Sequence, residues 1–315
     1  MNICITGGAG FIAFHLANKL KSAGHQVSGF DNFNDYYDPK LKYARVAELE
    51  KNDIYIDTVD LQDKDTLAQY FEFNDFDIVM HLAAYAGVRH SLEQPDKYIH
   101  NNVVGTHNLI EACQNAGIKK VVYASTSCVM AGNNLPWSED EKLGYQLNPY
   151  GYTKATNESQ FMASTLESAI GLRFFTVYGP WGRPDMALFD FTNKIVNNET
   201  ITLFNHGDMI RDFTYVDDIV QGIEIVLNRA MNNNVKEIYN IGYGEQVKLL
   251  DFVEHIEFQL GRTSSKKYVP KHPADTYATW SDTSKLQALG YKPTVPIDVG
   301  VTAFINWYKS YYGVN

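Results

Sequence analysis

Short apolar runs alternate with helix-length segments through the first 180 residues of the chain. Most of these runs are apolar at successive positions, which is typical of strands that are buried on both faces. A periodic segment from Gly10 to Leu20 predicts the first intervening helix. The predicted strands are Ile3–Thr6, Gln26–Phe30, Ile54–Thr58, Ile78–Leu82, Val121–Ala124 and Leu172–Val177. The pattern predicts an α/β fold with a doubly wound parallel sheet and right-handed crossovers.

This alternation ends after Val177, and the rest of the chain is mixed. Tyr178–Asp185 (YGPWGRPD) is rich in Gly and Pro and predicts a loop. Beyond it we predict helices at Met186–Asn197, Asp217–Ala230, Leu249–Leu260 and Val299–Tyr312, and a strand at Ile238–Ile241. We therefore expect a sheet domain over 1–178, to which segments near 212–242 return, and a smaller mixed α/β domain over 179–315.

Composition and charge exclude several classes of protein. The chain has 27 basic and 37 acidic side chains and a formal net charge of −10, which argues against nucleic acid or an anionic membrane as a partner. No apolar run reaches the ~18 residues of a spanning helix, and the N-terminus lacks the pattern of a signal peptide. Neither the three cysteines (Cys4, Cys113, Cys128) nor the histidines have metal-ligand spacing. We expect a reduced, cytoplasmic protein without a metal site.

The first predicted strand runs into a glycine-rich turn, Thr6–Ala13 (TGGAGFIA). The glycines at Gly7, Gly8 and Gly10 permit a tight turn whose backbone amides approach a pyrophosphate at a helix N-terminus. The next strand ends in Asp31, where an acid accepts a hydrogen bond from an adenosine ribose and repels a 2′-phosphate. Together these features predict a Rossmann-type site that binds NAD in preference to NADP.

Tyr150 and Lys154 are four residues apart and share one face of a helix. A cationic lysine beside a phenol lowers the phenol pKa and lets the phenolate act as a general base. The same spacing occurs at Tyr36 and Lys40, but Pro39 disfavours a helix through that pair. The first pair is therefore the candidate for catalysis.

Hydroxyl side chains follow the predicted strand Val121–Ala124, in the run Ser125–Cys128 (STSC). Ligands of a doubly wound sheet bind beyond the carboxyl ends of its strands, where these side chains project. We therefore expect Thr126 to lie in the same site as Tyr150.

Gly7, Gly10, Asp31, Thr126 and the Tyr150–Lys154 pair together resemble the extended short-chain dehydrogenase/reductases that act on nucleotide sugars. Longer segments resemble UDP-glucuronate 4-epimerases in particular: Asp31–Asp38 (DNFNDYYD), His81–Ser91 (HLAAYAGVRHS), Arg173–Leu188 (RFFTVYGPWGRPDMAL) and Arg211–Asp218 (RDFTYVDD). The resemblance runs nearly the whole length of the chain.

The resemblance implies a mechanism. Bound NAD⁺ takes a hydride from the sugar C4 while Tyr150 removes the 4-hydroxyl proton, and the 4-keto sugar turns over before it is reduced on its other face. Thr126 would hydrogen-bond the 4-oxygen, and Lys154 would lower the tyrosine pKa and hold the nicotinamide ribose. The implied cofactor contacts are Gly7, Gly10, Phe11, Ile12, Asp31, Asn32, Asp60, Leu61, Ala83, Tyr150 and Lys154.

The same segments imply how a UDP-sugar is held. Arg211 suits bidentate phosphate binding, while Arg89 and Arg183 are either ligand contacts or members of surface or interdomain ion pairs. Asp275 matches the segment that meets the uridine ribose, and Asn102 matches a residue beside the active site. The implied substrate contacts are Arg89, Ser127, Thr176, Arg183, Arg211 and Asp275.

Residues 128 and 176 narrow the set of reactions and substrates that the resemblance allows. The 4,6-dehydratases of this family carry an Asp-Glu pair after the threonine, and UDP-glucuronate decarboxylases carry Glu where Cys128 stands, so a general acid for elimination is missing. Thr176, where UDP-glucose epimerases tend to have Asn, leaves room for a C6 carboxylate and supplies a hydroxyl donor. These residues favour conversion of UDP-glucuronate to UDP-galacturonate.

Other readings stay open at this stage. The nearest is a 4-epimerase of UDP-N-acetylglucosamine or UDP-glucose, and a UDP-glucuronate decarboxylase or a non-catalytic NAD-binding scaffold is less favoured. Relatives form dimers through helices that flank the fifth strand, so Asp96–Asn115 and Tyr150–Leu166 are expected to build a four-helix bundle in a homodimer. The resemblance suggests that the product supplies capsule or lipopolysaccharide precursors.

Overall fold

The computed structural model describes residues 1–314. Its strands β1–β13 are, in chain order, Asn2–Thr6, Gln26–Asp31, Ile56–Thr58, Ile78–His81, Lys120–Thr126, Ser168–Phe174, Thr176–Tyr178, Ile201–Leu203, Ile210–Arg211, Phe213–Tyr215, Lys236–Ile241, Val247–Lys248 and Lys266–Tyr268. Its helices α1–α12 are Phe11–Ser22, Lys40–Glu50, Lys64–Glu72, Val88–Glu93, Pro95–Tyr98, Gly105–Asn115, Pro149–Ala163, Ala187–Val196, Val216–Asn232, Leu249–Leu260, Ser284–Gln287 and Ile297–Tyr312. A π-helical stretch, Ile99–Val104, joins α5 to α6, and short 3₁₀ turns cover Ser127–Met130 and Phe204–Gly207.

A seven-stranded parallel sheet forms the centre of the molecule, in the order β11-β6-β5-β4-β1-β2-β3. The strand order reverses between β1 and β4, because the chain builds outward from β1 first on one side and then on the other. Such a switch point opens a crevice at the carboxyl edge of the sheet. The doubly wound α/β fold predicted from the sequence is confirmed.

The predicted strand Leu172–Val177 is two strands in the structure. β6 begins at Ser168 and ends at Phe174, and every residue in it is buried. β7 leaves the central sheet and pairs in parallel with β10. The chain bends at Phe175, whose amide donates to the Ile241 carbonyl at 3.1 Å. This bend brings Thr176 to the carboxyl edge of the sheet.

The second half of the chain contributes to both parts of the molecule. β11 is an edge strand of the central sheet, and α9 packs beside α1 against its face. The other short strands form two-stranded pairs, β8 with β13 and β9 with β12, and helices α8, α10 and α12 pack together. The largest apolar cluster includes residues from both halves of the chain, from Ile3 to Tyr308, and two smaller clusters accompany it. No helix within residues 1–314 is both long and apolar enough to cross a membrane.

Candidate active site

A cavity of about 410 Å³ lies at the carboxyl edge of the central sheet. Its wall includes residues that follow β1, β2, β4 and β5, the start of α7, and loops from the second half of the chain. Most residues that the sequence assigns to cofactor or substrate line it: Gly7, Gly10, Phe11, Ile12, Asp31, Asn32, Leu61, Ala83, Thr126, Ser127, Tyr150, Lys154, Thr176, Arg183, Arg211 and Asp275. Asp60 and Arg89 lie outside the lining.

The glycine turn between β1 and α1 has the form that an anion site needs. Gly7 has φ +68°, and a Cβ there would lie 2.9 Å from the backbone of Ala83. A Cβ on Gly10 would lie 2.8 Å from the Gly7 carbonyl oxygen. Gly10 caps α1 without a side-chain hydrogen bond, so the first amides of the helix, at Phe11 and Ile12, remain available to a phosphate in the cavity.

Asp31 ends β2 inside the same cavity and is buried. Its Oδ1 accepts from the Phe33 amide at 2.8 Å and from the Lys42 ammonium at 3.5 Å. Asp60 lies outside the cavity lining and accepts a hydrogen bond from the Asn32 side chain at 3.0 Å. Asp60 therefore supports a cavity residue and does not itself face the cavity.

Tyr150 lies in the first turn of α7, which begins at Pro149 and is capped by the Asn148 side chain. Lys154 follows one helical turn later and is buried. Burial raises the pKa of Tyr150 to about 12, and the nearby Cys128 contributes to this rise. A hydrogen bond with Thr126 and the positive charge of Arg183 act in the opposite direction. Burial lowers the pKa of Lys154 to about 8, and the charge of Glu158 opposes this fall.

Thr126 ends β5 and begins the 3₁₀ turn that carries Ser127 and Cys128. Its hydroxyl accepts a hydrogen bond from the Cys128 amide at 3.2 Å, which fixes the turn against the strand end. Thr176, at the start of β7, lines the cavity with them. Three hydroxyl groups from β5, the turn and β7 therefore lie in the wall that also holds Tyr150.

The three predicted ligand arginines have different surroundings. Arg211 lines the cavity, and its guanidinium donates to the carbonyls of Ile210, Thr276 and Tyr277 at 2.7–3.1 Å. Arg183 forms a two-point ion pair with Asp185. Arg89 pairs with Asp275 at 2.7 Å and stacks on the Phe204 ring, 3.6 Å from its centre. Arg211 is thus held by neutral groups, whereas a carboxylate of the chain already pairs with each of the other two.

A buried ion pair that the sequence analysis missed lies behind the catalytic candidates. Glu158, one turn after Lys154 on α7, accepts two hydrogen bonds from Arg173 on β6, both at 2.9 Å. Its Oε1 also accepts from the Ser125 hydroxyl at 2.6 Å. The continued four-residue spacing from Tyr150 to Lys154 to Glu158 is the signal that could have shown Glu158 on the same helix face.

The π-helical stretch before α6 carries Asn101 and Asn102. Asn101 lines the cavity, whereas Asn102 turns away from it. The Asn102 side chain accepts from the Tyr85 amide at 2.8 Å and donates to the Thr153 hydroxyl at 3.1 Å. Asn102 therefore holds the loop after β4 against α7, and its neighbour faces the site. A π-helical turn, which is frequent at functional sites, shifts which residues share a face.

Comparison with known proteins shows the family of this chain. The profile of the NAD dependent epimerase/dehydratase family matches residues 3–242. The chain belongs to this family. Among its relatives, Protein CapI of Staphylococcus aureus is 41% identical to this chain, with 99% of each chain covered. UDP-glucuronate 4-epimerase 4 of Arabidopsis thaliana is also 41% identical, over 99% of this chain and 76% of its own length.

A solved structure shows the same architecture. The UDP-glucuronic acid 4-epimerase of Bacillus cereus, in complex with UDP-glucuronic acid and NAD, is 34% identical to this epimerase-family chain. The two superimpose with a TM-score of 0.92, over 99% of this chain and all of that one. The resemblance read from the sequence motifs is confirmed.

Proposed function

We propose that the chain is an isomerase that converts UDP-glucuronate to UDP-galacturonate with NAD as a bound cofactor. One observation carries the proposal: a single cavity contains both the glycine turn with Asp31 and the Thr126–Tyr150–Lys154 set. The names of the compared epimerases support the same substrate and cofactor.

The residues present fit NAD. The close approach of Gly7 to the Ala83 backbone leaves no room for a side chain, and the α1 amides suit the pyrophosphate. Within residues 1–314, both hydrogen bonds to the Asp31 carboxylate go to Oδ1, so Oδ2 is available to a ribose hydroxyl. When bound, NAD⁺ supplies a hydride acceptor and a positive charge at the nicotinamide.

The chain's own side chains handle the proton. Tyr150, as the phenolate, takes the proton of the sugar 4-hydroxyl and returns it after the sugar has turned over, so the phenolate is regenerated in each cycle. Thr126 hydrogen-bonds the 4-oxygen. Lys154, buried one turn away, favours the phenolate when it is protonated. Burial raises the Tyr150 pKa to about 12, which keeps the phenol protonated at neutral pH until positive charge is added nearby.

The substrate assignment depends on residues around the sugar end of the cavity. Cys128 offers no carboxylic acid for elimination, and burial raises the pKa of its thiol. Thr126, Ser127 and Thr176 provide hydroxyl donors for a C6 carboxylate. Hydrogen bonds of this kind restrain a 4-keto uronate, which is a β-keto acid, from the alignment that would release CO₂.

Incubation of the purified chain with UDP-glucuronate tests the function directly. We expect UDP-galacturonate to form without added NAD, because the cofactor is regenerated in each cycle and stays bound. Chromatographic separation of the UDP-sugars measures the conversion. UDP-xylose as the main product would make the chain a decarboxylase, and no turnover of any UDP-sugar would make it a non-catalytic scaffold.

The Thr176→Asn variant tests the carboxylate contact. Its rate ratio for UDP-glucuronate over UDP-glucose should fall by about tenfold or more, because the larger Asn side chain takes the room of the C6 carboxylate and displaces it from a hydrogen bond to a charged group, which contributes about 1.5–3 kcal/mol. Initial rates with each substrate measure the ratio. Thr202→Asn is the matched control, because Thr202 is half-buried on β8 and outside the cavity lining. An unchanged ratio in Thr176→Asn would remove Thr176 from the carboxylate site.

We also propose a cytoplasmic homodimer that supplies polysaccharide precursors. The predicted dimer helices expose apolar side chains at Val104, Tyr152 and Met162, which a helical bundle between two copies would cover. All three cysteines are free, which is consistent with a reducing compartment.

A further inference from the structure

We infer that the Lys42 ammonium is a latent binding group for a phosphate at the 2′ position of the adenosine ribose. The Asp31 carboxylate neutralises the charge of this ammonium. The inference rests on the proposed NAD site. Asp31 and Lys42 both line the cavity, and their side chains are only 7% and 6% exposed. The sequence motifs pointed to Asp31 alone, because Lys42 follows eleven residues later on a different element, α2.

The surroundings of the Lys42 ammonium show why Asp31 controls it. The ammonium lies 3.5 Å from Asp31 Oδ1 and 3.2 Å from the side-chain oxygen of Asn34. It also lies 5.5 Å from the centre of the Tyr37 ring. Of these three partners only Asp31 carries a charge. Among residues 1–314 no other carboxylate forms an ion pair with Lys42.

This pairing changes the reason why the site prefers NAD. The carboxylate and the ammonium together have no net charge, so repulsion of a 2′-phosphate is weaker than an isolated carboxylate would produce. Asp31 excludes the phosphate mainly because it occupies the position and accepts hydrogen bonds from the free hydroxyl. A neutral residue at position 31 would leave a buried, uncompensated ammonium facing the cavity, which is a favourable partner for a phosphate.

The test is to measure binding of NADH and NADPH to the full-length chain freed of bound nucleotide, by fluorescence titration. Wild type should bind NADH more tightly. Asp31→Asn should shift the ratio of the two dissociation constants toward NADPH by at least about tenfold, a change that corresponds to 1.4 kcal/mol. The double variant Asp31→Asn, Lys42→Met should lose that shift. Lys42→Met alone should bind NADPH less well than wild type does.

Two results would overturn the inference: no shift toward NADPH in Asp31→Asn, or a shift that persists in the double variant. If Asp31→Asn does not fold, as judged by circular dichroism, Asp31→Ser takes its place with the same expectations. Failure of the proposed function looks different. Wild type would then bind neither dinucleotide or would not convert UDP-glucuronate, whereas failure of this inference leaves wild-type binding and turnover intact.

Discussion

Replacement of Tyr150 by Phe is expected to lower kcat for epimerisation by about 10²–10⁴-fold, the usual contribution of a positioned general acid–base group. The change removes only the phenolic hydroxyl, and the ring keeps its place at the start of α7. The other groups of this site do not replace it, because the Thr126 hydroxyl is far too weak a base at neutral pH. Burial lowers the pKa of Lys154 to about 8, so most Lys154 side chains remain protonated at neutral pH and do not act as a base.

The measurement is the initial rate of UDP-galacturonate formation under saturating substrate. Tyr145→Phe is the control, since its side chain is 84% exposed and outside the cavity lining. It should retain full activity. NADH binding should be similar in both variants and wild type, which separates loss of proton transfer from loss of the cofactor. A Tyr150→Phe enzyme with wild-type kcat would assign the base to another group.

Local signals were sufficient to predict the sheet and one end of the site. The apolar runs of β1, β2, β4 and β5 lie next to turns whose chemistry is read within a few residues, so the sequence predicts one site for the glycine turn and Asp31, and both line the cavity. β6 was harder. Its sequence, SAIGLRF, contains Ser168, Gly171 and Arg173, which interrupt an apolar pattern although every residue is buried. Contacts with residues that are distant in the chain allow these positions to be buried, and the periodicity of the sequence does not reveal such contacts.

The same limit applies to the side chains that sequence analysis missed. Lys42 and Glu158 have meaning only through partners that are distant in the chain or on another element, Asp31 and Arg173. The pairing of Arg89 with Asp275 joins residues 186 positions apart, so neither could be seen as the other's counter-ion. Asn101 lies in a π-helical turn and lines the cavity, and such a turn has no sequence signal of its own.

The Glu158–Arg173 pair should carry the largest effect on stability. The two side chains are 7% and 4% exposed, so removal of either charge leaves the other buried without a counter-ion. Glu158→Gln is expected to reduce the free energy of unfolding by about 3–5 kcal/mol. Urea denaturation followed by circular dichroism measures the change. Glu158 does not line the cavity, so bound ligand does not contact it and the unfolding measurement is made without ligand.

An exposed pair provides the matched control. Glu48 and Lys51 also form an ion pair, but their side chains are 43% and 65% exposed, so Glu48→Gln should change stability by no more than about 1 kcal/mol. The double variant Glu158→Leu, Arg173→Met should recover much of the lost stability, because apolar replacement of both buried partners avoids the unpaired charge. Equal effects of Glu158→Gln and Glu48→Gln would mean that water or another group compensates Arg173. The pair would then position Ser125 and α7 without being a main source of stability.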